Sequence, residues 1–148
     1  MTEMRILTVR QPWAHAIIHG GKDVENRVRN IAGAYRGPVA IHAAAAWDWD
    51  VTYPVGPTPH PTSVALVRGA IIGAVELVDV HSPATDLTRD EFCQSPMGDL
   101  CSAWAEIESW HLVLANPRPL SEPIPYRGAL GLRRLDEATI ARIQEAIA

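Results

Sequence analysis

Three charged side chains near the start of the chain have the types and spacing of a site that handles an anion or a proton. Lys22, Glu25 and Arg27 lie within six residues, and on a strand Glu25 and Arg27 point to the same side. In one interpretation the two cations hold a phosphate or polarise a carbonyl, while the carboxylate orients them or transfers a proton. In the other, the three residues form a structural ion-pair set. The residue types alone leave both interpretations open.

A second cluster, Arg10, Gln11 and Trp13, precedes the first. Arginine and glutamine are side chains that read base edges, and tryptophan offers a face for stacking. The alternative is that Trp13 belongs to the core and Arg10 is a solvated strand end. We favour the core for Trp13 and a binding role for Arg10 and Gln11, because polar residues at a strand-to-helix junction often line a cleft.

Other polar and aromatic residues give weaker signals. His42 and His111 each lie in an apolar strand pattern, which is typical of a core or edge histidine. Trp110, beside His111, could border a pocket. Glu76 lies within the most apolar run, so its carboxylate needs either a partner or solvent.

The cysteines and histidines predict no metal centre. Cys93 and Cys101 have seven residues between them and match no zinc or redox spacing, and no pair of histidines has metal-ligand spacing. We therefore expect no cofactor and no structural zinc. Two cysteines, no signal-peptide pattern and no run of 18 apolar residues predict a soluble, cytoplasmic protein without membrane contact.

Length and charge restrict the class of protein. The 148 residues are most simply one domain, and a net charge of −4 argues against coating nucleic acid by bulk electrostatics. Residues 1–42 nevertheless carry six lysines and arginines against three acids, whereas the remainder carries seven against fourteen. A basic first segment in an otherwise acidic chain predicts a local site that binds an anion.

Periodicity and turn residues predict about six strands and four or five short helices. The predicted strands are Met4–Val9, Val24–Val28, Pro38–Ala43, a central Gly69–Val80, Trp110–Ala115 and Ala129–Leu135. The predicted helices are Trp13–His19, Ala43–Asp50, Asp86–Phe92, Ser102–Glu108 and Glu137–Ile147. Strands that often follow one another directly favour an α+β fold, a small mixed β-barrel decorated by short helices.

Glycine and proline mark the boundaries between these elements. Gly20 and Gly21 end the first helix, and two glycines inside the central strand predict a bulge or sharp bend. Residues 54–62 are rich in proline, so they cannot form a helix or a central strand. We interpret them as a surface loop within one domain.

Three motifs in order resemble the ASCH domain (activating signal cointegrator-1 homology) of the PUA-like superfamily. They are Leu-Thr-Val-Arg-Gln-Pro-Trp at 7–13, Gly-Lys-Asp-Val-Glu-Asn-Arg at 21–27 and Tyr-Arg-Gly-Pro-Val-Ala-Ile-His at 35–42. Residues 73–78 and 110–114 also fit the pattern of that family. The resemblance implies a single ASCH domain over residues 1–148, with a PUA-like β-barrel, a cleft between barrel and helices, and a link to RNA, DNA or nucleosides.

The family includes a nucleic-acid-binding coactivator module, an amidohydrolase acting on N4-acetylcytidine and a ribonuclease. Carried over to this sequence, the amidohydrolase's catalytic lysine falls on Lys22 and its arginine on Arg27. Its threonine nucleophile falls on Glu25, and a glutamate does not perform the same alkoxide chemistry. The family's glutamate after the central strand leaves several acids open: Glu91, Glu106 and Glu108, with Glu76 in the strand itself.

Three functions follow as expectations. The first is a cleft that binds RNA, DNA or a nucleotide-like small molecule. In it phosphate would meet Arg10, Lys22, Arg27 and Arg36, a base edge would meet Gln11, a stacked ring Trp13 or Trp110, and His42 would lie in the same wall. The second is a hydrolase of RNA or a modified nucleoside that uses Lys22 and Glu25 as an acid/base pair. The third is a protein-interaction module without catalysis.

Overall fold

The computed structural model describes residues 3–60, 66–83, 93 and 100–147. In chain order its elements are β1 (Arg5–Gln11), α1 (Trp13–His19), β2 (Val24–Arg27), β3 (Gly37–Trp47), β4 (Ala70–His81), β5 (Trp110–Pro125), β6 (Leu132–Arg134) and α2 (Glu137–Ala146). The predicted first helix and the predicted final helix are both confirmed.

The strands form one mixed sheet in the order β2-β5-β4-β3-β1-β6. Strands β1 and β3 pair in parallel, and the other neighbouring pairs are antiparallel. The α+β class and the central position of β4 are therefore confirmed. Within the described part of the chain β2 and β6 do not pair with each other, so the sheet is not closed and the predicted barrel is not confirmed.

Each face of the sheet has its own hydrophobic core, because successive residues of a strand point to opposite sides. In β1, Leu7 packs with α1 through Ile17, whereas Ile6 packs with α2 through Ile140. Burying such a side chain contributes roughly 1.5–3 kcal/mol. Helix α1 has only seven residues, so packing against the sheet must hold it in place.

The alanine-rich stretch after residue 43 is a strand, so the predicted helix Ala43–Asp50 is wrong. Strand β3 continues to Trp47, and its residues pair with β1 from Val9↔Ala43 to Gln11↔Trp47. The intrinsic preference of alanine for helix is a few tenths of a kcal/mol per residue, and pairing between two neighbouring strands overrides it.

The predicted helix Ser102–Glu108 is also wrong, since residues 101–109 form consecutive turns and bends. Backbone groups of this segment bond to side chains of other elements, as described below, and not to one another in a helical ladder. The predicted helix Asp86–Phe92 lies outside the described residues.

Strand β5 is much longer than predicted, because it continues to residue 125 and includes four prolines. Strand β2 pairs with β5 only over Trp110–Val113, so beyond Asn116 the described strands leave one side of β5 unpaired. Proline lacks an N–H and is tolerated on such an edge. The bulge predicted from the glycines of β4 is confirmed, since the β4–β5 register shifts between Ile71 and Gly73.

Residues 54–60 form neither helix nor strand, as their prolines predict, and most of them are exposed. The last two residues of the predicted loop lie outside the described part of the chain. Neither of the two described helices has the length and apolar character needed to cross a membrane.

Candidate functional site

A cleft of about 900 Å³ opens beside the start of the sheet. Its walls come from β1, α1, β2, the end of β3 and three loop segments, within 48–54, 103–106 and 129–131. Polar and aromatic residues that line it are Thr8, Arg10, Trp13, Lys22, Glu25, Asn26, Arg27, Asp48, Thr52, Trp104 and Glu106. The strand–helix–strand unit of the first 27 residues thus provides most of these side chains.

Lys22 is held at the floor of the cleft by the end of α1. The backbone N–H groups of Gly20 and Lys22 both donate to the carbonyl oxygen of Ala16, and Gly21 turns the chain with a φ of +77°. Positive φ is favourable only for glycine, which is why the predicted helix stop occurs here. The Lys22 side chain therefore turns back under the helix instead of into solvent.

The ammonium group of Lys22 is almost completely buried, with 4% of the residue exposed. It donates a hydrogen bond to the carbonyl oxygen of Val24. Its Nζ atom lies 5.1 Å from the ring centroid of Trp13 and 5.9 Å from that of Trp104. Burial lowers the pKa of Lys22, and the nearby charge of Glu25 partly opposes this effect.

Glu25 bridges the two predicted cations. Its Oε1 lies 3.6 Å from Lys22 Nζ, and its Oε2 accepts hydrogen bonds from Nε and Nη2 of Arg27 at 3.2 and 3.0 Å. Nη2 of Arg27 also donates to the carbonyl oxygen of Thr8 on β1 at 2.8 Å. The side-by-side placement of Glu25 and Arg27 follows from the alternation of β2.

Arg10 lines the mouth of the same cleft from the end of β1. It is exposed, and it forms no hydrogen bond or ion pair with any residue that the structure describes. Five of the nine predicted site residues therefore converge on one concave surface: Arg10, Trp13, Lys22, Glu25 and Arg27.

The other four predicted residues do not line the cleft. Gln11 is buried, and its amide donates to the carbonyl oxygen of Val67 and accepts from the N–H of His15. Arg36 is exposed and donates to backbone carbonyls of its own turn. The buried His42 ring lies within hydrogen-bonding distance of the carbonyl oxygen of Tyr126, and Trp110 packs against the core on the α1 side of the sheet.

An aromatic group that sequence reasoning did not assemble lies against Lys22. Tyr53 stacks on Trp13 with ring centroids 5.4 Å apart, and Trp104 meets both rings edge-on at 6.2 and 5.2 Å. The Nε1 of Trp13 donates to Asp48, and the hydroxyl of Tyr53 donates to the carbonyl oxygen of Pro12. Burial raises the pKa of Tyr53 to about 12, so this hydroxyl remains protonated near neutral pH.

Asn26 fastens the opposite wall of the cleft. Its Nδ2 donates to the carbonyl oxygen of Trp104, and its Oδ1 accepts from the N–H of Glu106, both at 2.9 Å. Trp104 and Glu106 belong to the segment with the wrongly predicted helix. The sequence therefore carried no signal that Trp104 would face Lys22, whereas Glu106 was among the acids that the family resemblance left open.

Of the four acids that the sequence left open, Glu106 lines the cleft. Glu76 instead forms an ion pair with Arg118 at 3.1 Å, and the exposed Glu108 does not line the cleft. Glu91 lies outside the described residues. The charge of Glu106 also acts on Lys22, whose pKa it raises.

The arrangement combines two kinds of chemistry. At the mouth, the exposed Arg10 and the half-buried Arg27 can meet an anion. On the floor, a buried amine with a lowered pKa next to a carboxylate can exchange a proton.

Solved structures with the same fold come from Zymomonas mobilis. A tyrosine-to-phenylalanine mutant of its ASCH protein matches 99% of this chain and 100% of its own, with 16% identity and a TM-score of 0.58. The unmutated protein matches 98% of this chain and 96% of its own, with 16% identity and a TM-score of 0.54. A serine-to-alanine mutant has the same coverage and TM-score with 18% identity.

The sequence profile of the ASCH domain matches residues 7–123, which include α1, β2, β3 and the part of β1 that lines the cleft. The chain therefore belongs to the ASCH domain family, a membership that suggests RNA binding as its general kind of function.

Proposed function

We propose that the cleft binds single-stranded RNA or a nucleotide-like ligand, with phosphate at Arg10 and Arg27 and a base against Trp13 and Trp104. Convergence of Arg10, Arg27 and Trp13 on one concave surface carries this proposal. A volume of about 900 Å³ also lies within the roughly 300–1,000 Å³ that is usual for ligand pockets.

The charges of the cleft favour recognition of a few nucleotides over wrapping of a long polyanion. Among the residues that the structure describes, three basic residues of the cleft are accompanied by three acids, Glu25, Asp48 and Glu106. Lys22 is also too deeply buried to act as a simple counterion. We therefore assign phosphate contact to the two arginines, and we expect one or two phosphates to contribute to affinity.

A titration of a short fluorescent RNA at two salt concentrations tests this proposal. Arg10→Gln should weaken binding several-fold and reduce the slope of log K against log salt by about 1, because one phosphate contact is lost. Arg142→Gln, which removes an exposed arginine from α2, is the matched control. Equal binding by both variants would place the RNA elsewhere and overturn the proposal.

Two further arms sharpen the assignment. Arg36→Gln should bind like wild type, since Arg36 does not line the cleft. A DNA strand of the same sequence reports whether the ligand's 2′-hydroxyl groups contribute. A loss of binding confined to Arg36→Gln would favour the turn at residues 30–36 over the cleft.

We also propose hydrolysis of RNA or of a modified nucleoside as a second candidate function. The specific observation is the buried Lys22 amine, with its lowered pKa, 3.6 Å from Glu25. In RNA cleavage, the carboxylate would take the proton of the 2′-hydroxyl while that oxygen bonds to phosphorus. The ammonium of Lys22 would protonate the departing 5′-oxygen.

Metal-free assays for RNA cleavage and for N4-acylcytidine deacylation test the catalytic role. Lys22→Ala should abolish either activity, whereas Arg142→Gln should leave it unchanged. Activity that survives Lys22→Ala would refute the role of the lysine. The volume of the cleft and its lining by Lys22, Glu25 and Arg27 count against the third function, an interaction module whose cleft is vestigial.

A further inference from the structure

Two histidines and two cysteines, far apart in sequence, meet at the far end of β4. One ligating atom from each of His81, Cys93, Cys101 and His111 lies within 4.8 Å of all the others. We propose that these four side chains bind one zinc ion, which fixes the loop wall of the cleft. The sequence predicted no zinc because the cysteine spacing matches no known motif, yet the fold provides the missing proximity.

Strand register brings the four residues together. His81 and His111 are direct partners across the antiparallel pair β4–β5, so their side chains project from the same face. The N–H of Cys93 donates to the carbonyl oxygen of Ser82, next to His81. The N–H of Cys101 donates to the sulfur of Cys93 at 3.3 Å, and Cys101 Sγ lies 3.6 Å from Nδ1 of His111.

The hydrogen bonds of the two histidines leave Nδ1 of each ring unprotonated. Nε2 of His81 lies 2.9 Å from a carboxylate oxygen of Asp79, and Nε2 of His111 lies 2.6 Å from the carbonyl oxygen of Glu106. Both oxygens can only accept from a neutral imidazole, so in each neutral ring Nε2 carries the hydrogen and Nδ1 keeps its lone pair. Outer hydrogen bonds of this type are the usual support of zinc-bound histidine.

Without a bound ion, one of these two lone pairs accepts no hydrogen bond from a described residue. Nδ1 of His81 is buried and has no hydrogen-bond partner among the described residues. A buried polar atom without a partner is unfavourable, and a bound cation would remove that cost. Each histidine would then bind the ion through one nitrogen and donate a hydrogen bond to an oxygen through the other. That oxygen belongs to Asp79 for His81 and to Glu106 for His111.

The size and composition of the cluster fit zinc. Bonds of about 2.3 Å to sulfur and 2.0–2.1 Å to nitrogen in a tetrahedron place ligand atoms roughly 3.3–3.8 Å apart. The ligand atoms lie at most 4.8 Å apart, so the most distant pairs need to approach by no more than about 1–1.5 Å. Two thiolates and two neutral imidazoles suit zinc better than magnesium or calcium, which prefer oxygen. Binding releases the two thiol protons, and the resulting centre has no net charge, which suits a partly buried site.

The position of the cluster gives the ion a structural role. Cys101 and His111 are the two ends of the segment that carries Trp104 and Glu106 into the cleft. Asn26 holds the middle of that segment by two hydrogen bonds. Zinc would hold its ends against β4, and thereby position the wall that faces Lys22.

Metal analysis of the full chain, purified under reducing conditions with zinc present, tests the proposal. We expect one zinc per chain by native mass spectrometry and elemental analysis. Cys101→Ser should lower zinc affinity at least tenfold, whereas His19→Ala, on the exposed end of α1, should leave it unchanged. Zinc content does not depend on RNA binding, so this result stands apart from the fate of the proposed function.

A variant that fails to fold would also lose zinc, so a cobalt titration of wild type tests the site independently of any variant. Chelator-treated wild type titrated with cobalt(II) should show tetrahedral visible absorption and charge-transfer bands from two thiolates. His81→Cys should keep one equivalent of cobalt and strengthen the charge-transfer band, because it adds a third thiolate. Absence of metal binding would overturn the proposal, and so would metal binding that Cys101→Ser leaves unchanged. The proposal also fails if Cys93 and Cys101 are found joined in a disulfide and the protein binds no zinc after that disulfide is reduced.

Discussion

The ammonium group of Lys22 lies 3.6 Å from the carboxylate of Glu25, yet burial lowers the pKa of Lys22 and so opposes that charge. The two effects meet in one group, because desolvation disfavours the charged amine while the carboxylate favours it. Arg27 forms an ion pair with the other oxygen of the same carboxylate. The proton affinity of Lys22 therefore depends on how strongly the single negative charge of Glu25 acts on Lys22 and how strongly it acts on Arg27.

Lys22 is the only lysine of the chain, so its titration can be followed without assignment. We predict that NMR of protein labelled at the lysine side chain gives a pKa below 10.5, and that Glu25→Gln lowers it further, because the favourable charge is lost. Glu137→Gln, on exposed α2, should leave the value unchanged. A lysine that titrates at or above 10.5 would contradict the burial seen here.

The same shift makes stability depend on alkaline pH. The folded pKa of Lys22 is lower than the 10.5 of an unperturbed lysine, so between these values the unfolded chain binds more protons. The contribution of Lys22 to the free energy of unfolding should therefore rise with pH across that window. Urea unfolding at several pH values should show this rise in wild type relative to Lys22→Met. Tyrosines and cysteines titrate in both proteins, and parallel curves would exclude the contribution.

Asn26 should matter more for the shape of the cleft than its half-exposed position suggests. Asn26→Ala removes hydrogen bonds to the backbone of Trp104 and Glu106, so we expect a loss of about 1–3 kcal/mol in unfolding free energy. The amide hydrogen of Glu106 should also exchange faster with solvent. Gln144→Ala, at an exposed position of α2, is the control. Unchanged exchange at Glu106 would mean that other contacts hold this wall.

The part of the site carried by local pattern was predictable from the sequence. Alternation along one strand places Glu25 beside Arg27, and two glycines after a short helix turn Lys22 beneath it. Gln11 shows the limit of such reasoning. A polar residue at a strand-to-helix junction is typical of a cleft, but Val67 and His15 satisfy its amide inside the protein.

Contacts between distant segments were not predictable. Trp104 reaches the cleft because Asn26, 78 residues earlier, bonds its carbonyl, and no periodicity encodes that bond. His81 and His111 are neighbours only through the register of two strands, which bulges shift three times. Helix propensity over the alanines of β3 was misleading for the same reason, since non-local pairing decides their conformation.

Gly73 allows α1 to pack directly on β4. A Cβ atom there would lie 2.5 Å from Cδ1 of Ile18 and 2.8 Å from the carbonyl oxygen of Arg118. Gly73→Ala should therefore destabilise the protein by about 1–3 kcal/mol, measured by urea unfolding. Adding Ile18→Val removes Cδ1 but keeps Cγ1, at 2.9 Å, and the carbonyl, so the double variant should recover only part of the loss relative to Ile18→Val alone. Full additivity of the two changes would show that the helix is not the obstacle.

Asp136 should make the final helix sensitive to acid. Its carboxylate accepts from the N–H of Thr139 at 2.9 Å and caps α2, and that hydrogen bond is the main reason that its pKa is lowered from 3.8. Because the folded value is depressed, the stabilisation is fully present above 3.8 and is lost as pH falls through the folded pKa. Asp136→Asn keeps an acceptor but does not titrate, so the melting temperature of wild type should fall on acidification relative to this variant. Asp136→Ala should be less stable than Asp136→Asn at neutral pH, since it removes the cap itself. Identical acid profiles for wild type and Asp136→Asn would show that the carboxylate is equally easy to protonate in the folded and unfolded chain.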